Sequence, residues 1–202
     1  MKNYIMFNGN KIAITESQIA EIKKCLGFCN TELSEIEPGE PFKIGEYEFF
    51  VLEHLENGTA VMLKDFLKDD ETFGGSNNYD GSNVDKKCID FGNKIASLVG
   101  KDNLIEHTVD LTADDGLKDY GTINRKMSLL TANLYRKYVE LIDLHKIDKW
   151  WWLATALSTP KHKIEYSVKC VSPGGYFNSN RYCNNGGVRP FCILKSNIFV
   201  SK

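Results

Sequence analysis

The chain has 202 residues and a formal net charge of −2, with 42% hydrophobic and 26% charged residues. This composition excludes an intrinsically disordered chain and is typical of a globular protein with one hydrophobic core. No segment has the length of apolar sequence that crosses a membrane, and the first residues lack the apolar core of a signal peptide, so we expect a cytoplasmic protein.

Residues 1–35 are predicted to form a small ββα unit. Asn8-Gly9 is a strong hairpin signal between two segments of alternating polarity. Thr15 and Gln18 have the spacing of a capping box, in which each side chain accepts a hydrogen bond from the other residue's backbone. The helix that follows is expected to bury one face, which carries Ile19, Ile22, Leu26 and Cys29.

Residues 36–202 are predicted to form a second, α+β domain with two or three helices. An acidic stretch at residues 32–41, with Pro-Gly near its end, is interpreted as a linker. One helix is expected to begin after Ser82 or Asn83 and another after Thr131. Strands are expected at residues 42–44, 47–52, 59–63, 105–111, 127–130, 151–155, 166–171 and 191–195. Residues 172–187, rich in Gly, Asn and Ser, are predicted to be a long loop.

Three consecutive tryptophans, Trp150, Trp151 and Trp152, are interpreted as structural residues. On a strand, Trp151 faces away from the other two, and a strand with large apolar groups on both sides is usually buried on both faces. The alternative is that an indole serves as a stacking surface for sugars or bases. Arg189 follows Gly186-Gly187-Val188 in an apolar context, so we expect it to be paired with loop carbonyls or a carboxylate. A ligand anion is the alternative partner.

Three segments resemble a bacterial and phage family known only as domain of unknown function 6273. They are residues 45–52, 150–153 and 186–190, and the resemblance spans about residues 40–200. The family usually has Arg and then Ser-Pro after its Trp-Trp-Trp-Leu, whereas this chain has Ala154-Thr155. The family is similar to the C-type-lectin-like fold of formylglycine-generating enzymes and of the tip proteins of diversity-generating retroelements. The resemblance implies a lectin-like mixed sheet. Separately, the N-terminal ββα unit resembles a start that recurs on otherwise different phage proteins, which suggests an interchangeable module.

No cofactor and no metal site is predicted. The copper of formylglycine-generating enzymes needs a close cysteine pair, but Cys183 and Cys192 are far apart in the sequence. Cys25 and Cys29 have a spacing that an apolar helix face also produces, so we expect free thiols. Residues 110–116 approach a calcium loop, but the glycine comes one position late, and we interpret them as an acidic turn. Motifs of common hydrolases and nucleotide-binding enzymes are missing, so we predict no enzymatic activity.

The predicted loop provides the candidate binding residues. It combines tyrosine, arginine and asparagine, as adaptable recognition surfaces do. The candidates are Tyr176, Asn178, Asn180, Arg181, Tyr182 and Asn184. The alternative is an ordinary surface loop that uses Gly and Asn for its turns.

Three functions remain open. The first is a non-enzymatic binding module of phage or mobile-element type, acting in the host cytoplasm on a protein or glycan, for example as an inhibitor of a host defence system. The second is nucleic-acid binding, because residues 1–119 contain 12 Lys/Arg and 23 Asp/Glu, whereas residues 120–202 contain 13 and 4. Its candidate phosphate contacts are Arg136, Lys137, Lys161, Lys163 and Arg181, unless the two charge blocks simply attract each other. The third is a divergent enzyme of the same fold, with perturbed titratable groups in a pocket.

Overall fold

The computed structural model describes residues 4–7, 9–15, 17–19, 22 and 31–202. Strands β1 (Tyr4–Phe7) and β2 (Asn10–Ala13) form the expected antiparallel hairpin. The capping box is confirmed: Thr15 N–H donates to Gln18 Oε1 at 2.9 Å, and Gln18 N–H donates to Thr15 Oγ1 at 3.2 Å. Cys25, Leu26 and Cys29 lie outside the described residues.

The rest of the described chain is a mixed α+β structure dominated by strands. Its helices are α1 (Asn83–Val99) and α2 (Ala132–Asp143), with short 3-10 turns at Leu33–Glu35, Lys101–Asn103 and Pro160–His162. The strands are β3 (Thr31–Glu32), β4 (Pro41–Ile44), β5 (Tyr47–Leu55), β6 (Gly58–Leu63), β7 (Lys68–Thr72), β8 (Leu104–Ile105), β9 (His107–Asp110), β10 (Thr122–Arg125), β11 (Met127–Ser128), β12 (Trp151–Ala156), β13 (Ser167–Val171), β14 (Phe177–Arg181), β15 (Asn185–Val188), β16 (Phe191–Leu194) and β17 (Phe199–Val200). None of the described helices has the length and apolar character of a membrane span.

Two sheets form the body. The first has the order β11-β16-β6-β5-β4, with β8 also paired to β16, and the second has the order β14-β13-β12-β15-β7. In the second sheet β12 and β15 are parallel neighbours, with Trp151 opposite Gly187. The tryptophan segment and the Gly-Gly-Val-Arg-Pro segment therefore lie side by side in this sheet.

Both faces of the central strands are buried, which explains why these strands lack polar alternation. Along β5, Phe49 and Val51 belong to a core that includes the apolar face of α1, whereas Phe50 and Leu52 belong to a core that includes α2. Successive residues of a strand face opposite sides of the sheet, so the indoles are divided in the same way: Trp152 lies in the first core and Trp151 in the second.

Side-chain caps fix the start of both helices. The Ser82 hydroxyl accepts from Asp85 N–H at 3.1 Å, and the Thr131 hydroxyl accepts from Leu134 N–H at 3.3 Å. Helix α1 ends at Gly100, whose φ of 94° favours glycine. Both caps were expected from the sequence, and they satisfy backbone donors that have no partner within the helix.

The predicted linker at residues 32–41 is wrong. Strand β3 pairs with β17, Leu33 N–H donates to the Ile198 carbonyl at 2.9 Å, and Leu33 and Ile36 are fully buried. The prediction relied on the acidic composition and overlooked Leu33 and Ile36, two buried apolar residues in a segment that pairs with the other end of the sequence. Residues 31–35 therefore pack with residues 36–202, while the division into two domains stays a prediction.

The predicted loop at residues 172–187 is also wrong in part, because it contains β14 and most of β15. Strand β7 was not predicted, since its sequence Lys-Asp-Asp-Glu-Thr has almost no apolar residue. Both β7 and β14 are edge strands, and natural sheets place polar and charged residues at edges, where they oppose pairing with other chains.

Candidate functional site

Arg189 connects the two sheets where the chain crosses from β15 to β16. The side chain is 1% exposed; Nε donates to the Leu63 carbonyl at 2.9 Å and Nη2 to the His145 carbonyl at 3.0 Å. The guanidinium also lies over the rings of Phe50 and Trp151, at 5.3 and 5.6 Å. Burial lowers the pKa of Arg189 to about 10, with an opposing contribution from Asp65, so the group stays protonated at neutral pH.

The two glycines before Val188 are explained by two aromatic rings. A Cβ on Gly186 would come within 2.3 Å of the Trp150 ring, and a Cβ on Gly187 within 2.4 Å of the Phe66 ring. Successive strand residues point to opposite faces, so the pair lets one ring rest on each side of β15. The Trp150 ring is also held edge to face against Trp152, with ring centroids 4.6 Å apart.

Beside this ring the surface forms an open depression of about 590 Å³, called here the Trp150 cleft. It is lined by Lys68, Asp69, Asp70, Asp148, Lys149, Trp150, Pro173, Asn185 and Gly186. Lys149 Nζ and Asp69 Oδ2 form an ion pair at 2.7 Å, which lowers the pKa of Asp69. Asp70, Asp148 and Lys68 have no ion pair within the described structure, so their charged groups are available to a ligand.

Residues 132–196 match the family described as Domain of unknown function (DUF6273). This DUF6273 segment runs from the start of α2 through β16 and contains Arg189, Trp150 and one side of the Trp150 cleft. It is shorter than the resemblance expected over residues 40–200, and the opening strand at residues 45–52 lies outside it. No curated protein and no solved structure matches the chain.

The structure does not gather the six candidate loop residues of the DUF6273 segment into one surface. Asn178 and Asn180 lie on β14 opposite Cys170 and Val168, on the face of the sheet that carries the α1 core. Tyr176 is 68% exposed in the preceding turn. Arg181 lies on the other face of the strand, with its guanidinium 5.6 Å from the Tyr166 ring.

Tyr182 and Asn184 complete the set, and both are tied into the hairpin. Tyr182 N–H donates to the Tyr166 carbonyl at 3.0 Å, and its ring packs partly against the α1 core. Asn184 Nδ2 donates to Asn180 Oδ1 at 2.6 Å. The residues of the predicted loop that reach the Trp150 cleft are instead Pro173, Asn185 and Gly186, near its two ends.

Two asparagines protect the free edge of β14. In the register with β13, the backbone N–H and C=O groups of Asn178 and Asn180 point toward β13. Those of Ser179 and Arg181 therefore point to the open edge of the sheet. The N–H groups of these two residues donate to the preceding side chains, Asn178 Oδ1 at 2.8 Å and Asn180 Oδ1 at 3.0 Å. Each asparagine thus occupies a donor that an added strand would need.

Replacing both Asn178 and Asn180 by valine is expected to increase concentration-dependent self-association relative to the wild type. Valine favours strand structure and leaves the edge donors free, while the stability of the fold changes by only about 1 kcal/mol because the edge is solvated. Sedimentation velocity over a hundredfold concentration range measures the effect. The matched control is the double aspartate variant, which keeps both acceptor oxygens and should sediment like the wild type. Equal oligomerisation of the two variants would refute the protective role.

The acidic turn at residues 110–116 is held by hydrogen bonds within the protein. Asp110 Oδ1 accepts from Thr112 N–H at 2.9 Å, and Asp115 Oδ2 accepts from Ser158 Oγ at 2.5 Å and contacts His162 Nδ1 at 2.9 Å. Ser158 is 2% exposed and donates directly to the carboxylate, whereas an activated serine would donate to the histidine. This arrangement stabilises the turn and does not create a nucleophile.

The described cysteines and carboxylates form no metal centre. Cys88, Cys170 and Cys192 are buried free thiols, and Cys183 is an exposed free thiol. No group of three metal-ligating side chains occurs among the residues that the structure describes. Burial raises the pKa of the Cys88 thiol to about 12, which opposes formation of the thiolate.

His107 is expected to make stability depend on pH. Its Nε2 atom contacts Ser128 Oγ at 3.0 Å, and burial lowers the pKa of His107 to about 4, against a smaller opposing contribution from the Ile105 backbone. Between about pH 6.5 and 4 the unfolded chain therefore binds more protons at this residue, so stability falls as the pH falls through that window. We expect a loss of about 2–3 kcal/mol from this group. Urea titrations at several pH values give the free energy of unfolding of wild type and His107→Gln. Plotted against pH, the free energy of wild type should fall more steeply within this window than that of the variant, and parallel curves would contradict the prediction.

Six of the 13 Lys/Arg residues of residues 120–202 form ion pairs with described acids of residues 1–119. Twelve ion pairs, including that of His162 with Asp115, occur in the described residues, and eight of them join residues 120–202 to acids of residues 1–119. Among the candidate phosphate contacts, Arg136 pairs with Asp114 at 2.7 Å and Lys137 with Glu53 at 2.5 Å. Lys161, Lys163 and Arg181 have no ion pair in the part of the chain that the structure describes.

Sequence reasoning missed most of the cleft. Asp70 and Lys68 follow a segment without any recognised motif, and Asp148 lies about eighty residues later. Pairing of β15 with both β7 and β12 brings them together. The one available signal was Trp150, the first indole of the run, which stands just outside the buried strand.

Proposed function

We propose that this protein is a non-enzymatic binding module that holds a protein or glycan partner in the Trp150 cleft. The observation that carries the proposal is the half-buried Trp150 ring, fixed by Gly186 and Trp152 beside three charged side chains that form no ion pair in the described structure. These side chains are Lys68, Asp70 and Asp148. A fixed aromatic group in a depression, surrounded by a few polar groups, is the usual composition of a ligand site.

A C-type-lectin-like scaffold is part of the proposal. The DUF6273 match, the mixed sheets and the adjacency of β12 and β15 support it. Such a scaffold presents segments of varied sequence from a rigid sheet, which here would be the turn of the β13–β14 hairpin and the segment that leads into β15. Association with a phage or mobile element, including inhibition of a host defence system, remains an extension of this proposal.

Photo-crosslinking from the cleft tests the proposal. A benzophenone amino acid replaces Asn185 at the cleft, and in a control variant it replaces Asn93, an exposed residue of a separate groove along α1. After illumination in bacterial extract, position 185 should give a discrete adduct that disappears when Trp150 is also changed to alanine. Equal adducts from both positions, or adducts that do not depend on Trp150, would refute the cleft as the binding site.

Nucleic-acid binding is the second candidate, supported by three basic residues without ion pairs. Arg181 stacks on Tyr166, which is 46% exposed. Lys161 and Lys163 come shortly before Tyr166 in the sequence. The internal ion pairs of Arg136 and Lys137 remove two of the five proposed phosphate contacts. A gel shift with single-stranded DNA, titrated with salt, decides the matter, because phosphate contacts make affinity fall steeply with salt. No shift at low salt eliminates this candidate.

A further inference from the structure

We propose that the ligand of the Trp150 cleft is a neutral saccharide, bound by stacking on the Trp150 indole and by hydrogen bonds from the rim. This inference rests on the proposed function and names the ligand class for the same site.

The Trp150 ring lines the cleft and is partly exposed, so it offers an aromatic surface to the apolar face of a sugar ring. The Trp150 atoms Cε3, Cζ3 and Cη2 lie against Gly186, and Trp152 supports the ring at an interplanar angle of 85°. The indole is therefore held in place before any ligand arrives, which reduces the entropy lost on binding. The face of an indole carries partial negative charge and attracts the polarised C–H groups of a pyranose.

The rim offers hydrogen-bond donors and acceptors together. The carboxylates of Asp70 and Asp148 accept, whereas the Lys68 ammonium and the Asn185 amide group donate. A sugar hydroxyl both donates and accepts, so a polyol can use each of these groups. All four side chains are exposed at the cleft and have no ion pair in the described structure.

The charge balance of the rim favours a neutral ligand over a charged one. Asp69 and Lys149 neutralise each other, and the remaining charged lining residues are two aspartates and one lysine. A polyanion would meet the two carboxylates, and a basic peptide would meet Lys68, so neither gains a uniform attractive field. The volume of about 590 Å³ lies within the range of small-molecule sites, and the open side lets a longer glycan continue out of the cleft.

Saturation-transfer difference NMR tests the inference with a panel of glucose, galactose, mannose, N-acetylglucosamine and their disaccharides. At least one sugar should receive saturation from the wild-type protein in a dose-dependent manner, with a Kd of roughly 1 mM. Trp150→Ala should abolish the transfer, and Asp148→Asn should weaken binding about tenfold while the fold is kept. Ile89→Ala, in the groove along α1, should leave it unchanged. The transfer should survive addition of EDTA.

Three results would overturn the inference, and the first two differ in what they mean for the proposed function. If no sugar of the panel receives saturation but the crosslink from position 185 still captures a protein in a Trp150-dependent manner, the cleft binds a protein and only the saccharide inference falls. If neither sugar binding nor a Trp150-dependent adduct is found, the binding function of the cleft falls as well. Saturation transfer that persists in Trp150→Ala would also refute the saccharide inference.

Discussion

Replacing Arg189 with alanine is expected to lower the free energy of unfolding by about 3–4 kcal/mol, because truncation leaves a cavity and buried carbonyls without donors. The two carbonyls belong to Leu63 and His145, and the cavity would open between Phe50 and Trp151. For a chain of this length, such a loss corresponds to a melting temperature about 10 °C lower. Differential scanning calorimetry measures both quantities.

The controls separate packing from charge. Arg189→Lys keeps a positive charge but does not reproduce the two directed N–H groups, so it should still lose about 2 kcal/mol. Arg181→Ala removes an exposed arginine from β14 and should change the free energy by about 0.5 kcal/mol or less. An unchanged melting temperature of Arg189→Ala together with lost ligand binding would show that Arg189 serves a ligand and not the fold.

Trp152→Ala is expected to destabilise the protein by about 3–5 kcal/mol, since a fully buried indole is removed from the core. Trp152 contacts the Phe73 ring edge to face, and its Nε1 donates to the Glu71 carbonyl at 3.0 Å. Trp150→Ala removes a partly exposed ring and should cost only about 1–2 kcal/mol. Chemical denaturation of the two variants gives the comparison.

The Trp152→Phe variant tests which part of the indole matters. It retains most of the packing but loses the donor to Glu71, so we expect a loss intermediate between wild type and alanine. If Trp150→Ala proved as destabilising as Trp152→Ala, the assignment of Trp150 to the ligand surface would be wrong.

Local signals in the sequence were sufficient for elements that local physics controls. The capping residues Ser82 and Thr131 satisfy donors within three residues of themselves, so their role does not depend on the rest of the fold. The apolar strands β5, β6, β12 and β16 were found for the same reason, because burial on both faces leaves a continuous apolar run.

Elements whose partners lie far away in the sequence were missed. Leu33 is buried and its N–H donates to the Ile198 carbonyl, and no residue near Leu33 in the sequence predicts this pairing. Edge strands β7 and β14 were missed because an edge needs charge or asparagine to oppose further pairing, and those residues also signal loops. The same asparagines suggested a recognition loop, although two of them cap the edge of β14.

The Trp150 cleft combines features that the local sequence predicts with features that depend on distant parts of the chain. The local pattern identified the tryptophan run and the Gly-Gly pair, and the structure shows why the glycines are needed beside two aromatic rings. The charged residues of the rim could not be predicted from the sequence, because they come together only when β15 lies between β7 and β12 in the sheet. The period of two groups Trp150 with Trp152, so the sequence gives no local sign that Trp150 is partly exposed while Trp151 and Trp152 are buried.

The most direct test of the account is fluorine NMR of protein labelled with 5-fluorotryptophan, which should give three resonances assigned by Trp→Phe variants. The central claim is that Trp150 faces a ligand while Trp151 and Trp152, at 2% and 0% exposure, hold the two cores. The Trp150 resonance alone should broaden with a soluble relaxation agent and shift when ligand is added. Broadening of the Trp151 or Trp152 resonance, or a Trp150 resonance as protected as theirs, would contradict the account.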